Sequence, residues 1–376
     1  MPEGPAEIPD DFVNPAVAGL TAYEPGKPVE EVQRELGLDR VVKLASNEGP
    51  FPPFPAALEA MTRAARDLNR YPDGGAFRLR AALAERRGVA FEEIAVGSGA
   101  DGVIDCVSQA FLDLDDEIVC GWPSFPSYVI DALKLGATPV RVPLTDARYD
   151  LDALLAAITQ RTKVVYLCHP NNPTGTMNTR DELDAYFERV PEHVLTVLDQ
   201  AYFEYIDDPD YADGIDYFRQ GHRVLVVRTF SKIYGLAGLR VGWGVGSRSV
   251  VAAIGKVRRA FDLNTQAQVA AVASLDDEAE VERRRRVNAE ERQRVVDILE
   301  RHGFDCTGPA VANFVYAESG EEDARPLFEA LLRAGVIVRP LEGFGAPSAI
   351  RVTVGSPEDN AALDEALGRV RAAAGA

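Results

Sequence analysis

The chain has 376 residues and carries 40 Lys and Arg against 59 Asp and Glu, a formal net charge of −19 at pH 7. A surface that acidic repels polyanions. It excludes a general nucleic-acid binder and a polybasic membrane-surface protein, since both must present positive potential to their partner. With 46% hydrophobic and 26% charged residues the composition is globular, and the length suits two domains or one large domain with a smaller companion.

The first residues are acidic and proline-rich, with no basic start leading into an apolar run, so no secretory signal is read and a cytoplasmic location is expected. Apolar runs such as Val164–Leu167 and Val224–Val227 fall far short of the roughly 18 residues of a membrane span, so no membrane partner is expected. Cys106, Cys120, Cys168 and Cys306 are scattered without a C-x-x-C pair, and His169, His193, His222 and His302 share no ligand spacing. Reduced core thiols and no metal follow from that pattern.

Residues 1–40 read as an irregular arm ending in a short helix around Val29 to Leu36. From 41 to about 265 short β-branched runs alternate with helical stretches. Strands are expected at 94–96, 117–120, 139–142, 163–168, 194–198, 224–228 and 241–245, with helices at 101–112, 128–135, 151–158 and 180–187. Repeated strand, helix, strand units predict an α/β class with a mainly parallel sheet covered on both faces. Ligands of such sheets sit beyond the carboxyl ends of the strands. From 266 to 376 the texture changes to a long charged helix over 278–301 and strands at 313–317, 336–339 and 349–354, a smaller α+β domain. The Arg283–Arg286 run lies among Glu278, Glu280, Glu282, Glu290 and Glu291, which predicts a solvated helix face with i, i+4 ion pairs and not a nucleic-acid site.

Gly97-Ser98-Gly99-Ala100-Asp101-Gly102 matches G-x-G-x-x-G between a strand and a helix. A dinucleotide site needs an acid at the end of the next strand, and here Gly121-Trp122-Pro123 follows instead. What remains is a set of free N–H groups at a helix start, suited to phosphate. Later strand ends carry unusual residues: Asn171-Asn172-Pro173-Thr174-Gly175, Asp199-Gln200-Ala201-Tyr202, and Ser231-Lys232 with Arg240 eight residues on. All converge on one crevice.

In that order on a parallel sheet, these motifs resemble the fold-type I pyridoxal-phosphate aminotransferases. The segments Leu20–Pro28, Lys43–Glu48, Asn69–Pro72 and Ile350–Gly355 resemble, more narrowly, the histidinol-phosphate aminotransferase family of histidine biosynthesis. The likeness spans about residues 16–370. It implies a seven-stranded sheet in the large domain, pyridoxal 5'-phosphate as cofactor, small-molecule amino-donor and 2-oxo-acid substrates, and a homodimer with shared sites. Lys232 would anchor the cofactor and move the proton, tasks that need a depressed amine pKa. Asp199 would face the ring nitrogen. Asn172 and Tyr202 would hold the ring oxygen, Phe125 would stack on the ring, and Ala100, Asp101, Ser231 and Arg240 would hold the phosphate. Tyr71 matches a tyrosine that reaches the partner subunit's cofactor phosphate. Arg351, Arg339 and Tyr23 would take the substrate's anionic end, one cationic pocket serving histidinol phosphate and 2-oxoglutarate in turn.

Three positions depart from the family pattern: Gly49, Gly102 and Gln200 stand where an Asn, an acid and a Glu are usual. An aromatic amino-acid aminotransferase, a pyridoxal-phosphate decarboxylase of amino-acid phosphates and a catalytically silent binding protein remain open at this point.

Overall fold

Between residues 94 and 245 the alternation of β-branched runs and helical stretches closes into a single sheet. A computed structural model describes residues 12–20, 26–306 and 308–374. Its strands are β1 (Val42–Lys43), β2 (Ile94–Gly97), β3 (Glu117–Trp122), β4 (Thr138–Pro143), β5 (Thr162–Cys168), β6 (Leu195–Asp199), β7 (Val224–Thr229), β8 (Gly242–Val245), β9 (Phe314–Glu318), β10 (Val336–Ile337), β11 (Arg339–Pro340) and β12 (Ala349–Thr353).

The large sheet has seven strands in the order β2-β8-β7-β6-β5-β3-β4. It is mainly parallel, as the sequence predicts. The exception is β8, antiparallel to both β2 and β7. Central strands read as continuous apolar runs because both faces are covered. Val164, Val165, Leu225, Val226 and Val227 are fully buried, each worth about 1.5–3 kcal/mol of apolar transfer. Winding reverses between β3 and β5, which opens a crevice at the carboxyl ends where β5, β6 and β7 deliver their loops.

A second core gathers Val295, Ile298 and Leu299 of the helix Glu278–Arg301 with Val315, Ala317, Ile350 and Val352. Its sheet is antiparallel, in the order β11-β12-β9. The helix Thr265–Ser274, nearly all of it within the 266–376 span read as the second unit, packs Ala267, Ala270 and Ala271 into the first core. Apolar burial therefore changes core after that helix and not before it.

Two expectations are corrected. The strand read at 336–339 is two strands, since β10 pairs in parallel with β1 while β11 turns to pair with β12. Alternation of apolar residues carried no sign of that change of partner. The Arg283–Arg286 run does form ion pairs on its helix, Arg283 with Glu280 and Arg286 with Glu290. Arg284, however, is buried and donates to the carbonyls of Ile233 at 3.0 Å and Pro52 at 2.8 Å, tying the helix to the large unit. Among the described residues no helix is long and apolar enough to cross a membrane, and no cluster of His, Cys, Asp and Glu could hold a metal ion.

Candidate active site

The carboxyl ends of β6 and β7, the turn after β5 and the start of the helix Gly99–Phe111 enclose a cleft of about 580 Å³. Residues 45–48 and β11 and β12 of the second unit complete its wall. Every site residue expected from the sequence lines this cleft except two. Tyr23 lies outside the described residues. Tyr71 is 81% exposed and stacks on Phe261, ring centroids 4.6 Å apart, away from its own chain's cleft.

At the sheet end the backbone itself forms a cradle. Gly99 sits at φ +79°, and a Cβ there would lie 2.6 Å from Arg240 Nη2. A Cβ on Gly242 would lie 2.2 Å from the carbonyl carbon of Gly99. Only glycine permits this approach, which leaves the first-turn N–H groups of Ala100 and Asp101, unbonded within the helix by its geometry, beside a cation. Arg240 takes a left-handed conformation at φ +56° and donates from Nη1 to Ser231 Oγ at 3.3 Å and to the carbonyl of Ala237 at 3.1 Å. Thr229 Oγ1 accepts from the Ser231 N–H at 3.1 Å and fixes the turn. Helix start, hydroxyl and guanidinium together make an anion cup. The G-x-G-x-x-G segment therefore has the geometry of an anion site, without a dinucleotide acid.

Across the cleft floor, Asp199 ends β6 and is buried. Tyr128 donates its hydroxyl hydrogen to Asp199 Oδ2 at 2.6 Å, and the Ala201 N–H donates to Oδ1 at 3.0 Å. Burial, only partly offset by those bonds, pushes its carboxyl up to about 6. Such an acid is stabilised as a carboxylate by a cation placed opposite it. Phe125 lies edge-on to Tyr128, centroids 5.5 Å apart, and presents an aromatic wall.

Lys232 follows β7 and is the amine of the cleft. Burial first, then the charges of Arg351 and Arg240, lower its pKa to about 8, against the pull of Glu48 and Asp199. An amine so placed is available as nucleophile and base near neutral pH. Its Nζ donates to the carbonyl of Asn47 at 3.3 Å and stands 5.4 Å from the Tyr202 ring centroid.

Asn47 is a site residue to which the sequence reading gave no role. It is buried at φ +55°, a conformation Asn tolerates better than most residues. Its Nδ2 donates to Tyr202 Oη at 2.9 Å, its N–H to Thr353 Oγ1 at 2.9 Å, and its carbonyl accepts from Asn313 Nδ2 at 3.0 Å. Since an amide N–H only donates, the Tyr202 oxygen is the acceptor and its own hydrogen is left to point elsewhere. Burial pushes that phenol's pKa up, so it stays protonated. Asn47 lies within the segment Lys43–Glu48, but its partners are 155 to 306 positions away and leave no local signal.

At the second-unit end, Arg339 and Arg351 are register partners on β11 and β12. Arg351 is buried, donates from Nη1 to Asn172 Oδ1 and from Nη2 to the carbonyl of Ala45 at 2.8 Å. Phe344 lies against both guanidinium groups and also lines the cleft.

Of the three departures, Gln200 is explained by its partners. Gln200 Oε1 accepts from the Gly214 N–H at 3.1 Å and Arg228 Nη2 at 2.9 Å, while its Nε2 donates to the carbonyl of Ala212 at 2.8 Å. A glutamate could not make the last bond. A Cβ on Gly102 would press on Ser98 Cβ at 3.3 Å, and one on Gly49 would meet Tyr205 Oη at 3.3 Å. None of these three positions places a charged group in the cleft.

An amine of lowered pKa, a buried acid and two separate anion sites in one cleft constitute the chemical equipment for handling a bound aldehyde cofactor and an anionic amine substrate. Residues 39–370 match the model of the aminotransferase class I and II family. The histidinol-phosphate aminotransferase of Anaeromyxobacter sp. (strain Fw109-5) is 44% identical over 96% of this chain and 99% of its own length. That of Moorella thermoacetica is 42% identical over 95% and 92%. A crystal structure of the histidinol-phosphate aminotransferase from Sinorhizobium meliloti, in complex with pyridoxal-5'-phosphate, superposes with a TM-score of 0.87 at 29% identity, covering 96% of this chain and 98% of that one. The fold is that of the fold-type I transferases, and this chain is an aminotransferase of the class I and II family, on the branch that holds the histidinol-phosphate aminotransferases.

Proposed function

We propose that the protein transfers an amino group between histidinol phosphate and 2-oxoglutarate, forming imidazole-acetol phosphate and glutamate, with pyridoxal phosphate held in the cleft. One observation carries the choice of substrate: two arginines stand in register on β11 and β12 at the end of the cleft opposite the anion cup. The names of relatives 42–44% identical across nearly the whole chain support it.

The residues fit the cofactor. Ala100, Asp101, Ser231 and Arg240 would hold its phosphate, Phe125 would face the ring, Asp199 would hold the ring nitrogen, and Asn172 and Tyr202 the ring oxygen. Bound there, pyridoxal phosphate supplies a carbonyl that takes up amines and an electron sink for the substrate's Cα. Asp199 keeps a negative charge at the sheet end, held in place by Tyr128. Lys232 carries the proton at Nζ, and its lowered pKa lets it both release and accept that proton. Tyr202, with its oxygen engaged by Asn47, offers its hydrogen into the cleft. Arg351 and Arg339 hold the substrate's phosphate in one half-reaction and a carboxylate of the 2-oxo acid in the other. Tyr23 joins them in this reading.

The chain divides in this reading into an arm (1–40), a cofactor-binding domain from 41 and a C-terminal domain that begins after the helix Thr265–Ser274. It acts as a homodimer in which Tyr71 serves the partner's site. The exposure of Tyr71, Phe261, Phe77 and Leu68 supports a covered face there. Comparing kcat/KM for histidinol phosphate and phenylalanine, each with 2-oxoglutarate, tests the reading. Histidinol phosphate should be preferred by about 100-fold or more, because an arginine site left unmatched is costly. A preference for phenylalanine, or carbon dioxide release without a keto acid, would overturn it.

A further inference from the structure

Arg339 and Arg351 face each other directly across β11 and β12. Like charges so placed repel and spread unless something holds them. Phe344 lies near both: it is 2% exposed, and its ring centroid lies 5.5 Å from Arg339 Cζ and 5.2 Å from Arg351 Cζ, the second guanidinium being held as well by its bonds to Asn172 and the carbonyl of Ala45. Both distances fall within the roughly 6 Å over which an aromatic face attracts a guanidinium. One ring thus engages two cations from inside the cleft wall.

The ring is itself held in place. It ends the single turn Glu342–Phe344, closed by Gly345 at φ +91°, whose N–H donates to the carbonyl of Glu342 at 2.9 Å. A Cβ on Gly345 would lie 1.9 Å from Trp122 Nε1, so the indole is in tight contact with that glycine. Trp122 ends β3 in the large sheet, and Arg141 Cζ lies 4.7 Å from its ring centroid. The turn that carries Phe344 is therefore pinned across the two units.

A carboxylate is satisfied by the fork of one guanidinium, whereas a phosphate dianion, with three acceptor oxygens and two charges, gains from a second. We propose that Phe344 is a specificity-positioning residue: by keeping Arg339 and Arg351 within reach of one anion, it makes the cleft favour a phosphate dianion over a carboxylate. The proposal rests on the anion role given to those arginines under Proposed function.

The test uses holoenzyme, in which the cofactor fills the other anion site, and two probes, inorganic phosphate and glutarate, titrated by calorimetry. Phe344→Leu should weaken phosphate by about tenfold. Glutarate should weaken by less than about threefold, one fork sufficing for a carboxylate. Phe344→Tyr keeps the aromatic face and should restore the wild-type ratio of the two affinities. Equal weakening of both probes by Phe344→Leu, no weakening of either, or failure of Phe344→Tyr to restore the ratio would overturn the proposal alone. If wild-type holoenzyme bound phosphate without competing with histidinol phosphate, the reading of the arginines would fall, and this inference with it.

Discussion

The sheet end of the cleft and the end at β11 and β12 present their cations by different means. At the sheet end the cup is main chain, closed up around Gly99 and Gly242 with Arg240 and Ser231 behind it. At the other end stand two arginine side chains near a phenylalanine on a short turn. A backbone cup is rigid because it moves only with the sheet and its helix, which suits a group that stays bound. Side chains can change by substitution where a backbone cup cannot, so that end is where relatives sharing the scaffold can differ in substrate. The −19 net charge bears on neither end: both depend on a few cations held inside an acidic exterior.

Substitutions can break this contrast, beginning with the amine that lies between the ends. Lys232→Ala should lower turnover by a factor on the order of 10⁴ or more in steady-state assays, since it removes both covalent and proton-transfer chemistry. It should leave the anion end intact, so phosphate affinity measured by calorimetry should hold. Gly242→Ala should strike the cup: its Cβ would meet backbone at 2.2 Å, and a cost of about 3 kcal/mol in unfolding free energy, with loss of cofactor retention, is expected. Turnover near wild type in the first case, or an unchanged urea midpoint in the second, would contradict the assignment.

A smaller effect comes from pH. Burial holds the Asp199 carboxyl up at about 6, so the carboxylate is present above that pH and is lost on acidification through it. Cofactor uptake by the apo-protein should fall as pH drops through about 6, and Asp199→Asn should abolish the step. Uptake followed by absorbance over this range would show it. A step that persisted in Asp199→Asn would belong to another group.

How much of this could be read from the residues follows the same division. Lys232, Asp199, Asn172 and Ser231 were legible because each sits at or just after an apolar run that becomes a strand end, where open α/β sheets bind ligands. The glycines of residues 97–102 were legible as phosphate-suited for the same reason. Arg339 and Arg351 were found through resemblance, and their opposition in register was not visible, because the run around 336–339 divides between two sheets. Asn47, Tyr128 and Phe344 were missed. Each acts through a partner distant in the chain, Asn47 on Tyr202, Tyr128 on Asp199, Phe344 on Arg351 and Arg339, and no local periodicity records such contacts.

The claim on which the substrate assignment stands is that one arginine pair reads both anions in turn. Single-turnover rates of the two half-reactions, followed by cofactor absorbance in wild type and Arg351→Ala, test it directly. The account predicts that reaction with histidinol phosphate and reaction with 2-oxoglutarate both slow, by comparable factors of roughly 100-fold. A loss confined to one half-reaction would mean that the two anions are held by different groups.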